Sequence, residues 1–119
     1  MDISAFYGAI GENYEAVYRR LLSSERIEKY LSRFFQQNQI EDLQQQMKAQ
    51  DFAAAMNSAH ILKGVASTLG LDGVTGTVCE LHTALKENRA DEAAALLCEL
   101  LTGYETVVSE WNRFTVQDE

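Results

Sequence analysis

Helically spaced apolar residues and the absence of proline constrain the fold of this 119-residue chain most. Without proline nothing forces a helix to break, and the alternation of β-branched residues that marks strands is absent. The clearest pattern lies near the C-terminus, where apolar residues alternate steps of four and three, as along the seam of a helical bundle. These residues are Ala93, Leu97, Leu100, Tyr104, Val107, Trp111 and Phe114. The sequence therefore predicts an all-α fold.

Short connections divide the chain into helices that should pack antiparallel. We predict two short helices within residues 1–22 that pack at one end of a four-helix bundle over residues 24–115. Ser23 and Ser24 are suited to cap the first bundle helix, and Asp72 a later one. In the first predicted helix of the bundle the apolar stripe shifts its phase near Asn38. The shift can reflect either one long helix with a local phase slip or two helices with a break at Asn38-Gln39.

Length and composition indicate a single domain, residues 1–119, since 46% hydrophobic residues suffice for one core. The net charge is −8, and the 10 basic residues form no stripe with aromatic residues between them, which argues against nucleic-acid binding. No run of about 18 apolar residues is present, so we expect no membrane span. The N-terminus lacks the pattern of a signal peptide, and we expect a cytoplasmic protein.

The helix predicted from an Asp51 cap to Leu69 has two distinct faces. At 100° per residue, His60 lies within about 40° of Gly64 and about 60° of Lys63, so these three side-chain positions cluster. The opposite face carries an apolar stripe suited to a core. This stripe consists of Phe52, Ala55, Ala59, Leu62, Ala66 and Leu69. We therefore expect His60 to face outward, away from the bundle core.

Gly64 needs an explanation, because glycine inside a helix costs about 1 kcal/mol relative to alanine. A missing side chain beside His60 would let a bulky group approach the imidazole, and Lys63 would place positive charge where an anion on the ring would lie. An imidazole titrates near about pH 6.5, so at neutral pH its free lone pair can act as a nucleophile. This pattern indicates a histidine that carries phosphate.

The same stretch resembles the signature of histidine-containing phosphotransfer (HPt) domains. The matching pattern is Ala59-His60-x-Leu62-Lys63-Gly64-x-x-x-x-Leu69-Gly70. The resemblance implies a helical bundle in which His60 accepts a phosphoryl group from the aspartate of one receiver domain and passes it to another. It further implies that Lys63 is the charge partner of that group and that Gly64 keeps the site open. The long helix of that family also favours a phase slip near Asn38 over a break.

Two residues depart from the pattern of the family. Val65 stands where a serine or another small residue is common. His82 lies on the next predicted helix, where many members carry a glutamine or glutamate that hydrogen-bonds the active histidine. An imidazole could replace that partner, and its titration would then couple to that of His60. The alternative is that His82 is an ordinary histidine on the helix surface.

The resemblance implies a phosphocarrier without enzymatic turnover, and it sets the expected partners. These are response-regulator receiver domains or a hybrid histidine kinase; we expect a monomer with no cofactor of its own, and a magnesium ion on the receiver. Two alternatives remain open. One is a helical module that docks receivers without carrying phosphate, and the other is a metal site formed by His60, Cys79 and His82. The second is weak, since the two cysteines, Cys79 and Cys98, lack metal-site spacing.

Overall fold

A computed structural model describes residues 2–37 and 39–117 of the chain, with the backbone alone for 116 and 117, and these residues form seven α-helices. In chain order they are α1 (Ile3–Ala9), α2 (Tyr14–Leu21), α3 (Ser24–Gln36), α4 (Gln39–Lys48), α5 (Phe52–Thr68), α6 (Asp72–Lys86) and α7 (Ala90–Gln117). No strand occurs in the described residues. The predicted all-α fold is confirmed.

Helices α4 to α7 close a four-helix bundle, because each packs against its chain neighbour and α4 also packs against α7. The predicted long first arm is wrong: it is split into α3 and α4, as the alternative interpretation had it. Gln37 adopts an extended backbone, with φ −80° and ψ 148°, while Asn38 itself lies outside the described residues. The bend lets Phe34 before it and Ile40 after it both reach the core despite their shifted phase.

Local sequence signals mark the starts of α3 and α5, but not that of α6, and Ser24, also suited to cap α3, is already its first residue. Side chains of Ser23 and Asp51 accept hydrogen bonds from backbone N–H groups in the first turns of α3 and α5, as N-caps do. Asp72 does not cap α6; it is already the first helical residue, and Leu71 precedes it without a side-chain bond. Instead, the carboxylate of Glu12 accepts a hydrogen bond from Gly73 N–H at 2.9 Å.

The core confirms most of the predicted apolar stripes. On α5, all stripe members are buried except Phe52, which is 36% exposed because it lies in the first turn. Three of the buried residues are alanines, which let the neighbouring helices approach α5 closely. On α7, three of the expected positions are buried, namely Ala93, Leu100 and Trp111, and Leu96 is buried in addition. The other expected positions are only partly buried; they are Leu97, Tyr104, Val107 and Phe114.

The two N-terminal helices pack at one end of the bundle, as predicted. Phe6 of α1 is fully buried, and its ring makes edge contacts with Phe35, Trp111 and Phe114. This aromatic cluster ties α1 to α3 and to the last turns of α7. None of the described helices combines the length and the apolar character needed to cross a membrane.

Candidate functional site

The middle of α5 presents the predicted site residues on its outward face. His60 and Gly64 are exposed and Lys63 is partly buried, while Ala59 and Leu62 on the other side are fully buried. The expectation that His60 points away from the core is therefore confirmed. Helix geometry alone places these three residues together, since they follow one another within little more than one turn.

Gly64 borders open space. A Cβ atom added there would meet no other heavy atom within 4 Å. Close packing of helices, the usual structural reason for a glycine inside a helix, therefore does not apply at this position. The conformational cost of the glycine is left without a compensating contact within the chain, which is what we expect if the space is needed by another molecule.

The structure brings His82 of α6 next to His60. The two ring centroids are 6.0 Å apart, with an angle of 45° between the ring planes. Within the described residues no hydrogen bond joins the two rings, so the bond that His82 could make to His60 is not seen in this arrangement. His82 is only partly exposed, and it is close enough to interact with a group attached to His60.

The surroundings of His82 disfavour its protonated form. Partial burial is the main cause of a lowered pKa of His82, and positive charge on His60, Lys63 and Lys86 lowers this pKa further. Because the pKa lies below the ordinary value of about 6.5, the ring is neutral at pH 7. One of its nitrogen atoms then keeps a free lone pair, which can accept a proton or a hydrogen bond.

The site is locally cationic although the chain is acidic overall. Lys63 and Lys86 act on it, and the side-chain ion pairs of the described residues lie elsewhere, at Arg89 and Arg113. No carboxylate is thus paired with either imidazole in residues 2–37 and 39–117. An anion that approached His60 would meet positive charge without a competing internal anion.

An apolar groove runs beside His60 between α3 and α5. Its volume is about 480 Å³, and among the described residues that line it the charged side chain is that of Arg33, with His60 at the edge. The lining residues are Tyr30, Arg33, Phe34, Gln37, His60, Ile61, Gly64, Val65, Thr68 and Leu69. Tyr30 lies one turn before the buried Phe34 on α3, but it is 36% exposed and faces this groove. His60 therefore lies on a ridge, with the groove on one side and His82 on the other.

The C-terminal end of α5 is held by the N-terminal helices. The guanidinium of Arg20 donates hydrogen bonds to the carbonyls of Ser67 at 2.8 Å and Thr68 at 2.6 Å. The hydroxyl of Tyr7 donates to the Leu69 carbonyl at 2.6 Å, in a buried position. The contacts satisfy the carbonyls of Thr68 and Leu69 at the end of the helix, whereas the Ser67 carbonyl also accepts from the backbone N–H of Gly70 at 3.1 Å. The guanidinium of Arg20 also places positive charge at the negative end of the helix dipole.

Gly70 completes this region, which we call the hairpin clamp: Tyr7, Glu12, Val17, Arg20 and Gly70. With φ at +68°, Gly70 turns the chain from α5 into α6, and a Cβ atom there would overlap Cγ2 of Val17. The clamp thus fixes the connection between the two helices that carry His60 and His82.

Sequence reasoning missed the groove and the clamp. Ile61 and Val65 did give a signal for the groove, since both are apolar yet lie off the main stripe of α5. No sequence signal indicated the clamp, because the hydrogen bonds of the clamp join residues far apart in the chain.

The metal-site alternative finds no support in the structure. Among the described residues, no three side chains of the types His, Cys, Asp and Glu are grouped so that they could hold one metal ion. His60 and His82 are close to each other, but Cys79 does not complete a site with them.

A family model described as Hpt domain matches residues 29–110 of the chain, which is more than half of its length. The matched range includes His60, Lys63, Gly64 and His82, and it leaves out α1 and α2. Comparison with curated proteins and with solved structures gave no significant match.

Proposed function

The chain belongs to the Hpt domain family, and from this membership we propose that it carries a phosphoryl group on His60 between receiver domains of a two-component phosphorelay. Hpt domains are phosphotransfer modules and phosphocarriers rather than enzymes. The proposal for this chain adds the acceptor residue, the roles of its neighbours and the class of partner.

The proposed step needs few groups from this chain. The neutral Nε2 of His60 attacks the phosphorus of an aspartyl phosphate on the receiver in line with the bond that breaks. A P–N bond forms as the P–O bond to the aspartate breaks, the aspartate leaves as a carboxylate, and the proton on the other ring nitrogen stays in place. The ammonium of Lys63 offsets negative charge on the phosphoryl group. A magnesium ion bound by the receiver would supply further charge stabilisation.

The observation that carries this proposal is the open, cationic surrounding of His60. Its ring is exposed, and a side chain at Gly64 would fill only empty space. Lys63 lies on the same face of α5, and the positive charges of Lys63 and Lys86 act on the adjacent His82. Phosphoryl transfer depends mainly on positioning and electrostatics, and this arrangement allows an in-line approach from outside.

The apolar groove supports a receiver domain as the partner. It adjoins His60 directly and exposes apolar side chains such as Ile61, which is 45% exposed. An apolar segment of a receiver could bury these side chains while its phosphorylated aspartate faces His60. The same groove would also serve a module that only docks receivers, so the two functions must be separated by experiment.

The test is phosphorylation by a charged receiver. The full chain is incubated with receiver domains charged by acetyl phosphate in the presence of magnesium, and its intact mass is measured under non-acidic conditions that preserve phosphohistidine. We expect a mass gain of one phosphoryl group, localised to His60 and absent in His60→Gln, which should still bind the receiver. Binding without any mass gain in the unmodified chain would favour the docking-only function. The monomeric state and the cytoplasmic location stay predictions.

A further inference from the structure

We propose that His82 takes up a proton when His60 becomes phosphorylated, so that an imidazolium on α6 joins Lys63 in holding the phosphoryl group. The inference rests on the proposed function, because it needs His60 as the phosphate carrier. It assigns to His82 a positioning role that depends on pH, instead of the role of a fixed hydrogen-bond partner.

The geometry gives His82 access both to the phosphoryl group and to solvent. The ring centroids of His60 and His82 are 6.0 Å apart, so a group attached to the exposed ring of His60 extends into the range of strong interaction with His82. His82 is partly exposed, and a proton can therefore reach it from water. The proton binds to the free lone pair of a ring nitrogen, and no other bond changes.

Before phosphorylation, the neighbours of His82 oppose its protonation. The charged groups that act on it are His60 and Lys63 on α5 and Lys86, one turn further along α6. None of these groups lies on α7, the other helix packed against α6, and none is an anion. Together with partial burial they lower the pKa of His82.

Phosphorylation would reverse the sign of the charge beside His82. A phosphoryl group adds a charge of about −1.5 to −2 at neutral pH, so the phosphorylated side chain is negative overall even while its ring keeps the proton on the other nitrogen. Two opposite charges about 5 Å apart in a well-solvated site change the protonation midpoint by about one pH unit. The midpoint of His82 should therefore move upward.

The experiment titrates His82 with and without phosphate on His60. Potassium phosphoramidate, which donates its phosphoryl group with release of ammonia, loads the full chain without any receiver, and mass spectrometry locates the phosphate. The chain has only two histidines, so NMR can follow each ring between roughly pH 5.5 and 8.5. We expect the midpoint of His82 to rise by about one pH unit after loading.

Two variants serve as controls. His60→Gln given the same treatment should show no shift, because it has no phosphate carrier. Lys86→Gln should raise the resting midpoint of His82 and still show the further rise after loading. A third variant, His82→Gln, keeps a hydrogen-bonding side chain but cannot titrate. Transfer from its phosphorylated form to a receiver should lose the part of the pH dependence that protonation of His82 gives the unmodified chain.

An unchanged or lowered midpoint of His82 in chain loaded at His60 would overturn the inference, as would phosphate found on His82 itself. An unchanged or lowered midpoint would leave the proposed function untouched, whereas phosphate on His82 in place of His60 would also change the acceptor residue of the proposed function. The proposed function fails by a different measurement, namely when no charged receiver transfers phosphate to the chain.

Discussion

Helix α5 carries two regions that are built in opposite ways. Around His60 the side chains are exposed, and Gly64 touches nothing beyond its own helix. About 15 Å further along the helix, hydrogen bonds from Tyr7 and Arg20 of the hairpin clamp reach the last carbonyls. The clamp also leaves no room for a methyl group at Gly70. Groups that must meet another molecule contribute little to folding, while the helix that presents them is fixed at its far end.

The two regions also differ in their relation to the family. The site lies inside the matched range 29–110, whereas Tyr7, Val17 and Arg20 of the clamp lie before it. Changes in the clamp should therefore alter stability and leave phosphate acceptance by the folded molecule intact. Substitutions at the site should alter phosphate acceptance and leave the fold intact.

The largest loss of stability is expected for Gly70→Ala. The substitution places a side chain at φ +68° and drives its Cβ atom into Val17, which together should cost about 2 to 4 kcal/mol of unfolding free energy. Urea denaturation measures this loss. Gly11→Ala is the matched control, because Gly11 has a similar φ of +74° but open space around it. It should show only the backbone part, about 1 kcal/mol.

Equal losses in these two variants would show that Val17 yields to the added methyl group, and the clamp would then be looser than its contacts indicate. Phosphate acceptance by Gly70→Ala, measured per folded molecule, should match that of the unmodified chain. A loss of acceptance in the folded variant would contradict the separation of the two regions.

Tyr7→Phe should have the next largest effect. The variant keeps the buried ring but leaves the Leu69 carbonyl without its hydrogen bond, at a cost of about 1 to 2 kcal/mol. The control is Tyr18→Phe on α2, whose side chain is 44% exposed; its stability should change by less than about 0.5 kcal/mol. Thermal unfolding of both variants checks the difference. Equal melting temperatures would show that the hydrogen bond of Tyr7 does not contribute to the stability of the clamp.

The sequence predicted those parts of the fold that depend on residues close together in the chain. Helical spacing identified the stripe of α5, and Ser23 and Asp51 marked helix starts, because caps and stripes are local features. The break between α3 and α4 was mispredicted, because Gln37 itself carries no breaking signal. The bend there arises from the burial of Phe34 and Ile40 on either side.

The sequence predicted the part of the candidate site that lies on α5, but it did not determine whether His82 of α6 belongs to the site. His60, Lys63 and Gly64 share one face by helix geometry alone. Whether His82 lies near His60 depends on the register between α5 and α6, which Gly70 and the clamp set through contacts between distant residues. Spacing along one helix carries no information about that register.

The smallest expected change in stability belongs to Gly64→Ala, and it has the opposite sign. Alanine fits the open space and favours the helix, so the free energy of unfolding should rise by about 0.5 to 1 kcal/mol. Gly103→Ala on α7 is the matched control: Gly103 is also an exposed helical glycine with open space around it, and it should gain a similar amount. Only Gly64→Ala should accept phosphate from a charged receiver more slowly, by about tenfold, because its methyl group displaces the partner from His60. If both variants accept phosphate at the rate of the unmodified chain, Gly64 does not keep the site open. The exposed face of α5 would then owe its function to His60 and its charged neighbours alone.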